Sequence, residues 1–392
     1  MELKVAKKDI LSSLSNIKIV MGNGFDMFCN LKSSYEDFFK TRKEYHSLFI
    51  NLRLYCYTNY SACLEYFNYP FVDNDIKTNE LIKANVWDLF FFLNSTDLSD
   101  KEDQIYNQDK KWCDIESSMK ASFVKSKINT QTKIYWSSIF KELKNQDNHS
   151  HLSLETFTLA SFIKVQKILD LENLDEEHFY NYLLSQLKNF ENDFGNYIKN
   201  QCDTDNYKFN FDLTLRKLTS DRYNEINSID TFNYSFYDNE NFIYIMRNIN
   251  GNYNNPIFGI DSQGIEDSSP IYIFTKTSRR IEMQINSLSP LYDLDFKDVI
   301  IFGHSLSSND YGYFYPLLEN LKKDSKLIFA YSIYRPDQEE KIKKDLQMNV
   351  IKLINSYEKY TTNKNTYRLI DSLTFKNNIL FMKIDEKNIK KQ

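Results

Sequence analysis

The sequence predicts an α/β protein in which a large helical segment interrupts a Rossmann-like parallel sheet. Short β-branched runs stand near the start of the chain and return after residue 226, and segments with helical periodicity separate them. Long amphipathic patterns with few strand runs fill the stretch between. Alternating strands and helices are typical of parallel sheets. We therefore assign residues 1–40 and 226–392 to one α/β core and residues 41–225 to a helical insertion.

Local patterns predict the first elements. The β-branched run Ile17–Met21 is the first strand and ends at a glycine turn. An irregular segment should follow, and then a helix that begins near Ser34, where a capping residue precedes an acid. The polar stretch 145–150 predicts a loop. One long helix in the insertion is predicted by apolar residues three or four positions apart: Phe179, Leu183, Leu187, Phe190, Phe194 and Tyr197.

The second part of the core alternates strands with helices. Its strongest strand is Asp298–Phe302, which ends at Gly303. This alternation predicts that both parts of the core contribute to one sheet. The predicted strands are 226–232, 242–249, 256–260, 298–302, 326–332 and 379–384, and the predicted helices are 271–285, 311–321 and 336–357.

Composition and charge exclude several classes of protein. The 392 residues carry a net charge of -5, so direct binding of a nucleic-acid backbone is not expected. Five scattered cysteines form no CxxC pair and no metal-ligand spacing, which predicts reduced thiols, a cytoplasmic location and no metal site. No apolar stretch approaches the roughly 20 residues that span a bilayer, so we expect a soluble protein without a membrane partner.

Glycine positions are informative because the chain has only eight glycines. Gly22 and Gly24 follow the first strand, Gly251 follows the strand 242–249, and Gly303 ends the strongest strand. In open α/β sheets, ligands bind beyond the carboxyl ends of the strands. Three strand ends marked by glycine therefore favour one ligand crevice over three independent tight turns.

The first strand end carries an incomplete nucleotide-binding pattern, Gly22-Asn23-Gly24-Phe25-Asp26. Two glycines let backbone N–H groups approach an anion or a sugar closely. Met27 stands where the dinucleotide fingerprint has its third glycine. The carboxylate of Asp26 would repel a phosphate, but it suits ribose hydroxyls.

Asn233 lies at another strand end, in the stretch 231–234. Its side-chain amide both donates and accepts hydrogen bonds, which suits a ribose or a positioned water. The alternative is a capping residue for a helix that begins at Ser235.

The strand that ends at Gly303 continues as Gly303-His304-Ser305-Leu306-Ser307, which approaches the nucleophile-elbow pattern. Ser307 replaces the last glycine of that pattern, and no histidine follows His304, so a serine hydrolase is not expected. His304 is therefore a candidate in its own right. Asp310 either caps the next helix or faces the same crevice.

A last acidic candidate lies in the insertion, where Trp112 begins the run Trp112-Cys113-Asp114-Ile115-Glu116. Asp114 and Glu116 are two positions apart and cannot share one helix face. We place Glu116 at the crevice. The alternative is a solvated helix N-terminus, where acids are favourable.

These segments together resemble the AbiH family of bacterial proteins, which is associated with abortive infection during phage attack. The runs Gly22 to Asp26 and Gly303 to Asp310 carry most of the resemblance. The other matching stretches keep the family's order along the chain: 34–35, 112–116, 231–234, 250–251, 258–261 and 274–276. The resemblance implies a role in antiphage defence.

The same motif order resembles, more distantly, sirtuin-like NAD-binding domains. There an asparagine and the histidine of a His-Gly pair serve NAD binding and cleavage of the nicotinamide–ribose bond. The resemblance implies that Gly22 and Gly24 approach the dinucleotide, that Asn233 orients ribose or water, and that Ser305 and Asp310 lie on the nucleotide. Asn250, followed by Gly251, takes the place of the histidine. An amide cannot act as a general base near neutral pH, so His304 and Glu116 are the available substitutes.

The resemblance leaves three functions open. The chain is an effector that cleaves NAD when phage triggers it, a non-catalytic nucleotide-binding sensor, or a nuclease that uses Asp261 and Lys276. We expect no tightly bound cofactor, and NAD or a related nucleotide as substrate or ligand. A phage-derived trigger protein and a second copy of the chain are the candidate protein partners.

Overall fold

The computed structural model of the chain describes residues 13–58, 81–95, 115–124, 134–144, 153–237, 245–262, 264–284, 295–333, 336–361, 369–386 and 389. The chain folds as two compact units. The first, here the sheet unit, comprises Met1–Ser33, Gly195–Pro256 and Asn286–Gln392. The second, here the helical unit, comprises Ser34–Phe194 and Ile257–Ile285.

Six parallel strands form the sheet: β1 (Ile17–Met21), β2 (Ile226–Thr231), β3 (Ile245–Asn248), β4 (Asp298–Phe302), β5 (Leu327–Tyr331) and β6 (Ile379–Lys383). Their order across the sheet is β3-β2-β1-β4-β5-β6. This is the Rossmann order, so the predicted fold class is confirmed. Met21, at the end of β1, lies opposite Thr231 of β2 and Phe302 of β4, which aligns the three carboxyl ends at one edge.

Helices cover most of the rest of the described chain. They are α1 (Asn23–Phe28), α2 (Tyr35–Thr41), α3 (Lys43–Thr58), α4 (Val86–Ser95), α5 (Ile115–Phe123), α6 (Trp136–Lys144), α7 (Leu154–Gln166), α8 (Glu176–Cys202), α9 (Asp205–Thr219), α10 (Lys276–Gln284), α11 (Tyr311–Glu319), α12 (Glu339–Tyr360) and α13 (Leu369–Phe375).

The core of the sheet unit lies between the sheet and the helices α11 to α13. Apolar side chains from β1, β4 and β5 interleave there with side chains from α11 and α12, which removes them from water and stabilises the unit. Representative members, all at most 4% exposed, are Val20, Val299, Ile301, Phe329, Phe314, Leu317, Val350 and Ile354.

The helical unit has an aromatic core. Helix α7 packs against α3, α4 and α6, and the Trp87 side chain donates from Nε1 to the carbonyl of Leu183, 2.9 Å away. The predicted apolar face of α8 is confirmed within this unit, where its members are fully buried: Phe179, Leu183, Leu187, Phe190 and Phe194.

Three details differ from the sequence-based expectation. Helix α1 begins directly after the first glycine because Gly22, with extended backbone, serves as its N-cap, so no irregular segment separates β1 from a helix. The predicted strand 256–260 is wrong: only a single bridge joins Ile260 to Thr275. Residues 195–225, assigned to the insertion, group with the sheet, and residues 257–285 group with the helical unit. The predicted loop 145–150 lies outside the described residues.

Candidate functional site

The carboxyl ends of β1 and β4 lie side by side where the strand order of the sheet reverses. In doubly wound sheets this reversal creates the crevice that binds nucleotides. Gly22 and Gly303, two of the glycines predicted to mark the crevice, lie here, and each contacts the backbone that follows the neighbouring strand. A Cβ on Gly22 would lie 2.5 Å from the Cα of His304. A Cβ on Gly303, whose φ is +73°, would lie 2.2 Å from the backbone nitrogen of Phe25. Only glycine permits this approach.

The amide groups of the first glycine turn are engaged within the protein. The Gly22 N–H donates to the carbonyl of Phe302 at 3.0 Å, and the Gly24 N–H donates to the carbonyl of Gly303 at 2.8 Å. Sequence reasoning assigned these N–H groups to an anion or a sugar. In the structure they hold the end of β1 against the end of β4, while the Asn23 side chain is exposed.

Asn233 links the ends of β1 and β2. Its side chain is 5% exposed and donates from Nδ2 to the carbonyl of Gly22 at 3.0 Å. Its backbone N–H donates to the Thr231 hydroxyl. The described residues after it, to 237, are not helical, so Asn233 does not cap a helix at Ser235. The structure therefore positions this amide at the reversal of the sheet.

Asn250 and Gly251 lie beyond the end of β3. Asn250 is 7% exposed, and its Nδ2 donates to the carbonyl of Phe232 at 3.4 Å. Gly251 has φ +78°, and a Cβ there would lie 2.0 Å from the Asn255 carbonyl oxygen, so this glycine is required by a tight turn.

Both ring nitrogens of His304 have partners. Nδ1 accepts a hydrogen bond from the backbone N–H of Leu306 at 2.9 Å, which places the proton of the neutral ring on Nε2. Nε2 faces the Asp310 carboxylate at 3.5 Å. The ring also packs against Phe232, with centroids 4.3 Å apart. Ser305 is exposed, and its carbonyl accepts from Asn349.

Asp26 is the most unusual group at this edge of the sheet. It lies on α1 and is 1% exposed. Its Oδ1 accepts from the Tyr207 hydroxyl at 3.0 Å, whereas its Oδ2 has no hydrogen-bond partner among the described residues. Burial raises the pKa of Asp26 to about 6, and the neighbouring polar side chains of Ser235, Tyr207, Asn233 and Ser33, in that order, oppose this rise.

The titratable neighbours of Asp26 are neutral acids. Burial raises the pKa of Tyr207 on α9, of Cys29 directly after α1 and of Cys202 at the end of α8, and the Asp26 charge raises each further. Tyrosines and thiols with raised pKa values carry no charge near neutral pH. The carboxylate of Asp26 therefore gains no ion pair from them when it ionises, in contrast to the other buried acids described below.

Glu116 belongs to the helical unit, on α5. Its carboxylate pairs with Lys276 at 2.7 Å. On the same helix Lys120 pairs with Asp261 at 3.7 Å, so the two residues of the nuclease scheme each face an opposite charge. The tryptophan of the predicted run and Asp114 lie outside the described residues.

Sequence reasoning missed a buried charge network in the sheet unit. Lys18 of β1 is 1% exposed and pairs with Asp230 of β2 at 2.6 Å. Tyr313 of α11 donates to the same Asp230 oxygen, also at 2.6 Å, and Arg247 of β3 lies 3.7 Å from the other oxygen. The sequence does contain a signal for this network: Lys18 and Asp230 are charged residues inside runs that otherwise predict buried strands. Sequence reasoning likewise missed Tyr207 and Ser235, because no local pattern connects them to Asp26.

The strand order and the parallel sheet define a Rossmann-like α/β protein, with polar residues gathered where the strand order reverses. The chain belongs to the bacteriophage abortive infection AbiH family, whose model matches residues 19–331. Membership of this family implies a role in abortive infection by bacteriophage. No curated protein and no solved structure matches the chain.

Two further properties bear on the class of site. None of the described helices combines the length and the apolar composition needed to cross a membrane. In the described part of the chain, no three histidine, cysteine, aspartate or glutamate side chains are grouped so as to hold a metal ion.

Proposed function

We propose that the chain is an antiphage effector that cleaves the nicotinamide–ribose bond of NAD when phage infection triggers it. The observation that supports this proposal is the convergence of Gly22, Asp26 and Asn233 where a sheet of dinucleotide-binding order reverses. Cleavage through an oxocarbenium-like state requires charge stabilisation and a positioned water more than a strong nucleophile. A fixed amide beside a buried carboxyl meets that requirement.

The test is mass spectrometry of NAD, nicotinamide and ADP-ribose in phage-infected cells. We expect cells with the unaltered chain to lose NAD and to resist phage spread, and cells with Asn233→Ala to keep NAD and lose protection. Asn224→Ala is the matched control, because Asn224 is an exposed asparagine of the same unit. Thermal unfolding of both variants separates a lost site from a lost fold. Retention of NAD in protected cells would contradict the proposal.

The second candidate is a nucleotide sensor that does not cleave its ligand. Two observations favour it: Asn250 stands where the related domains have a histidine, and the Nδ1 lone pair of His304 is engaged by a backbone amide. An amide cannot take up a proton near neutral pH. Native mass spectrometry that finds an intact nucleotide on the purified chain, together with unchanged NAD in protected cells, would favour the sensor.

A further inference from the structure

The acid/base residue of the proposed site is not determined by the sequence, because an asparagine replaces the expected histidine. The two substitutes taken from the sequence are both engaged. His304 presents one nitrogen to a backbone N–H and the other to Asp310. Glu116 belongs to the other unit and forms an ion pair with Lys276.

Asp26 has the geometry that both substitutes lack. It lies four residues after the N-cap of α1, in the unit that holds Asn233. Its Oδ1 is held by the Tyr207 hydroxyl, so the carboxyl group has a fixed orientation. Its Oδ2 is buried without a hydrogen-bond partner in the described part of the chain. An unsatisfied buried carboxylate oxygen is costly to the fold, and such atoms are commonly retained where a function uses them.

The surroundings of Asp26 set its protonation. The titratable groups near Asp26 are Tyr207, Cys29 and Cys202, on each of which the Asp26 charge acts. The polar groups that lower its pKa besides Tyr207 are Ser235, Asn233 and Ser33. All six are neutral near pH 7. Since a general base is most effective when its pKa lies near the working pH, the pKa of about 6 suits a base at neutral pH.

A polar route connects Asp26 with the surface. The Ser33 hydroxyl acts on the Asp26 carboxyl and donates to Oδ1 of Asn23 at 2.9 Å. The Asn23 side chain is exposed. The Asn23 and Ser33 side chains thus form a polar chain from the exposed surface to the buried Asp26 carboxyl.

We propose that Asp26 is the general base of this site and accepts, on Oδ2, a proton from the water that attacks NAD. This inference rests on the function proposed above. The water oxygen forms a bond to C1′ of the nicotinamide ribose, and the C1′–N1 bond breaks. Its electron pair remains on the ring nitrogen, which neutralises the pyridinium. The products are nicotinamide and ADP-ribose, and the water proton passes to Asp26 and then to solvent.

The experiment measures NAD cleavage from pH 5 to pH 8 by the full chain purified from phage-infected cells. The variants are Asp26→Asn and Tyr207→Phe, with Asp324→Asn as the matched control because the Asp324 side chain is 75% exposed. We expect Asp26→Asn to lower kcat by about 100-fold to 10,000-fold, the range of general acid–base catalysis, while NAD still binds. Asp324→Asn should behave as the unaltered chain does.

Tyr207→Phe distinguishes a base from a structural residue. The Tyr207 hydroxyl lowers the pKa of Asp26, so its removal should move the acidic limb of the pH–rate profile to higher pH. A structural role of Asp26 predicts no such movement. The pH–rate profile of Tyr207→Phe tests the proposal even if Asp26→Asn does not fold.

Three results would overturn the inference. Wild-type kcat in folded Asp26→Asn removes Asp26 from catalysis and leaves the NAD-cleaving function standing. If Tyr207→Phe does not move the acidic limb of the pH–rate profile, Asp26 is likewise not the base, and the NAD-cleaving function still stands. If the unaltered chain leaves NAD intact, the proposed function fails and the role of Asp26 fails with it.

Discussion

Asp26→Asn should stabilise the folded protein above neutral pH, because the substitution removes a buried charge that has no charged partner. The folded-state pKa of Asp26 is raised from its ordinary value of 3.8 to about 6. A pKa change of this size contributes about 3 kcal/mol to the free energy of unfolding, at roughly 1.4 kcal/mol for each tenfold change in proton affinity. The residue is 1% exposed, so solvent screening does not reduce this figure substantially.

The direction of the pH dependence follows from the sign of the pKa change. The folded state holds the Asp26 proton more tightly than the unfolded state does. This contribution to stability is fully present below pH 4 and is lost as the pH rises through about 6. Asparagine does not titrate. The free energy of unfolding of Asp26→Asn should therefore exceed that of the unaltered chain by about 3 kcal/mol more at pH 8 than at pH 4.

The assay is urea unfolding of both proteins at pH 4, 6 and 8, followed by circular dichroism. Asp88→Asn is the control, because Asp88 is also buried but accepts from Nε of Arg42 at 2.7 Å. Burial raises the pKa of Asp88 to about 6, and the guanidinium opposes the rise. Asp88→Asn should therefore show the same pH dependence, but it also takes from Arg42 one of its two carboxylate partners, the other being Asp193 at 2.9 Å. Asp88→Asn should for this reason be less stable at pH 7 than Asp26→Asn. Equal pH dependence in Asp26→Asn and the unaltered chain would refute the reasoning.

Three further substitutions test the packing of the two units. Lys18→Met should lower the free energy of unfolding by about 3 kcal/mol in urea, because it leaves the buried carboxylate of its ion pair without its closest cation; an unchanged midpoint would show that the pair is dispensable. Gly303→Ala should lower the melting temperature more than Gly264→Ala does, because both glycines have positive φ but only the first lacks room for a Cβ, and equal losses would mean that the backbone angle alone matters. Glu191→Gln should lower the free energy of unfolding of the helical unit by roughly 3–5 kcal/mol, since the buried guanidinium of Arg279 loses its carboxylate partner. Calorimetry that finds no change would contradict this.

The stability and activity predictions for Asp26 are linked. If this carboxyl is the base of the site, Asp26→Asn is more stable at pH 8 and less active. Residues that serve catalysis are often unfavourable for the fold, and their removal then raises stability. A carboxyl that is not catalytic but has the same burial predicts the same gain in stability, with no loss of kcat in the folded variant.

Local patterns in the sequence determined the elements of the sheet. The β-branched runs at Ile17–Met21 and Asp298–Phe302 became strands with the predicted bounds, because mostly apolar, β-branched runs are typical of buried parallel strands. The alternation with helices was sufficient to predict the parallel sheet. It did not predict the strand 256–260 correctly, because a short apolar run has no periodicity that distinguishes a strand from a buried connection.

Strand order and the site required the tertiary structure. Met21 lies opposite both Thr231 and Phe302, a pairing across more than half the chain that no local pattern encodes. The sequence predicts that the N–H groups of the glycine turn bind a ligand. In the structure they donate hydrogen bonds to the carbonyls of Phe302 and Gly303 at the end of β4.

What the sequence by itself determined was the set of strand ends and the presence of a glycine, an acid and an asparagine at them. Only the tertiary structure decided which of these groups titrates near neutral pH. The pKa of Asp26 depends on burial and on Tyr207, which is 181 positions away in the chain. Burial and long-range hydrogen bonds are properties of the folded chain, because they depend on which distant residues exclude water from a group.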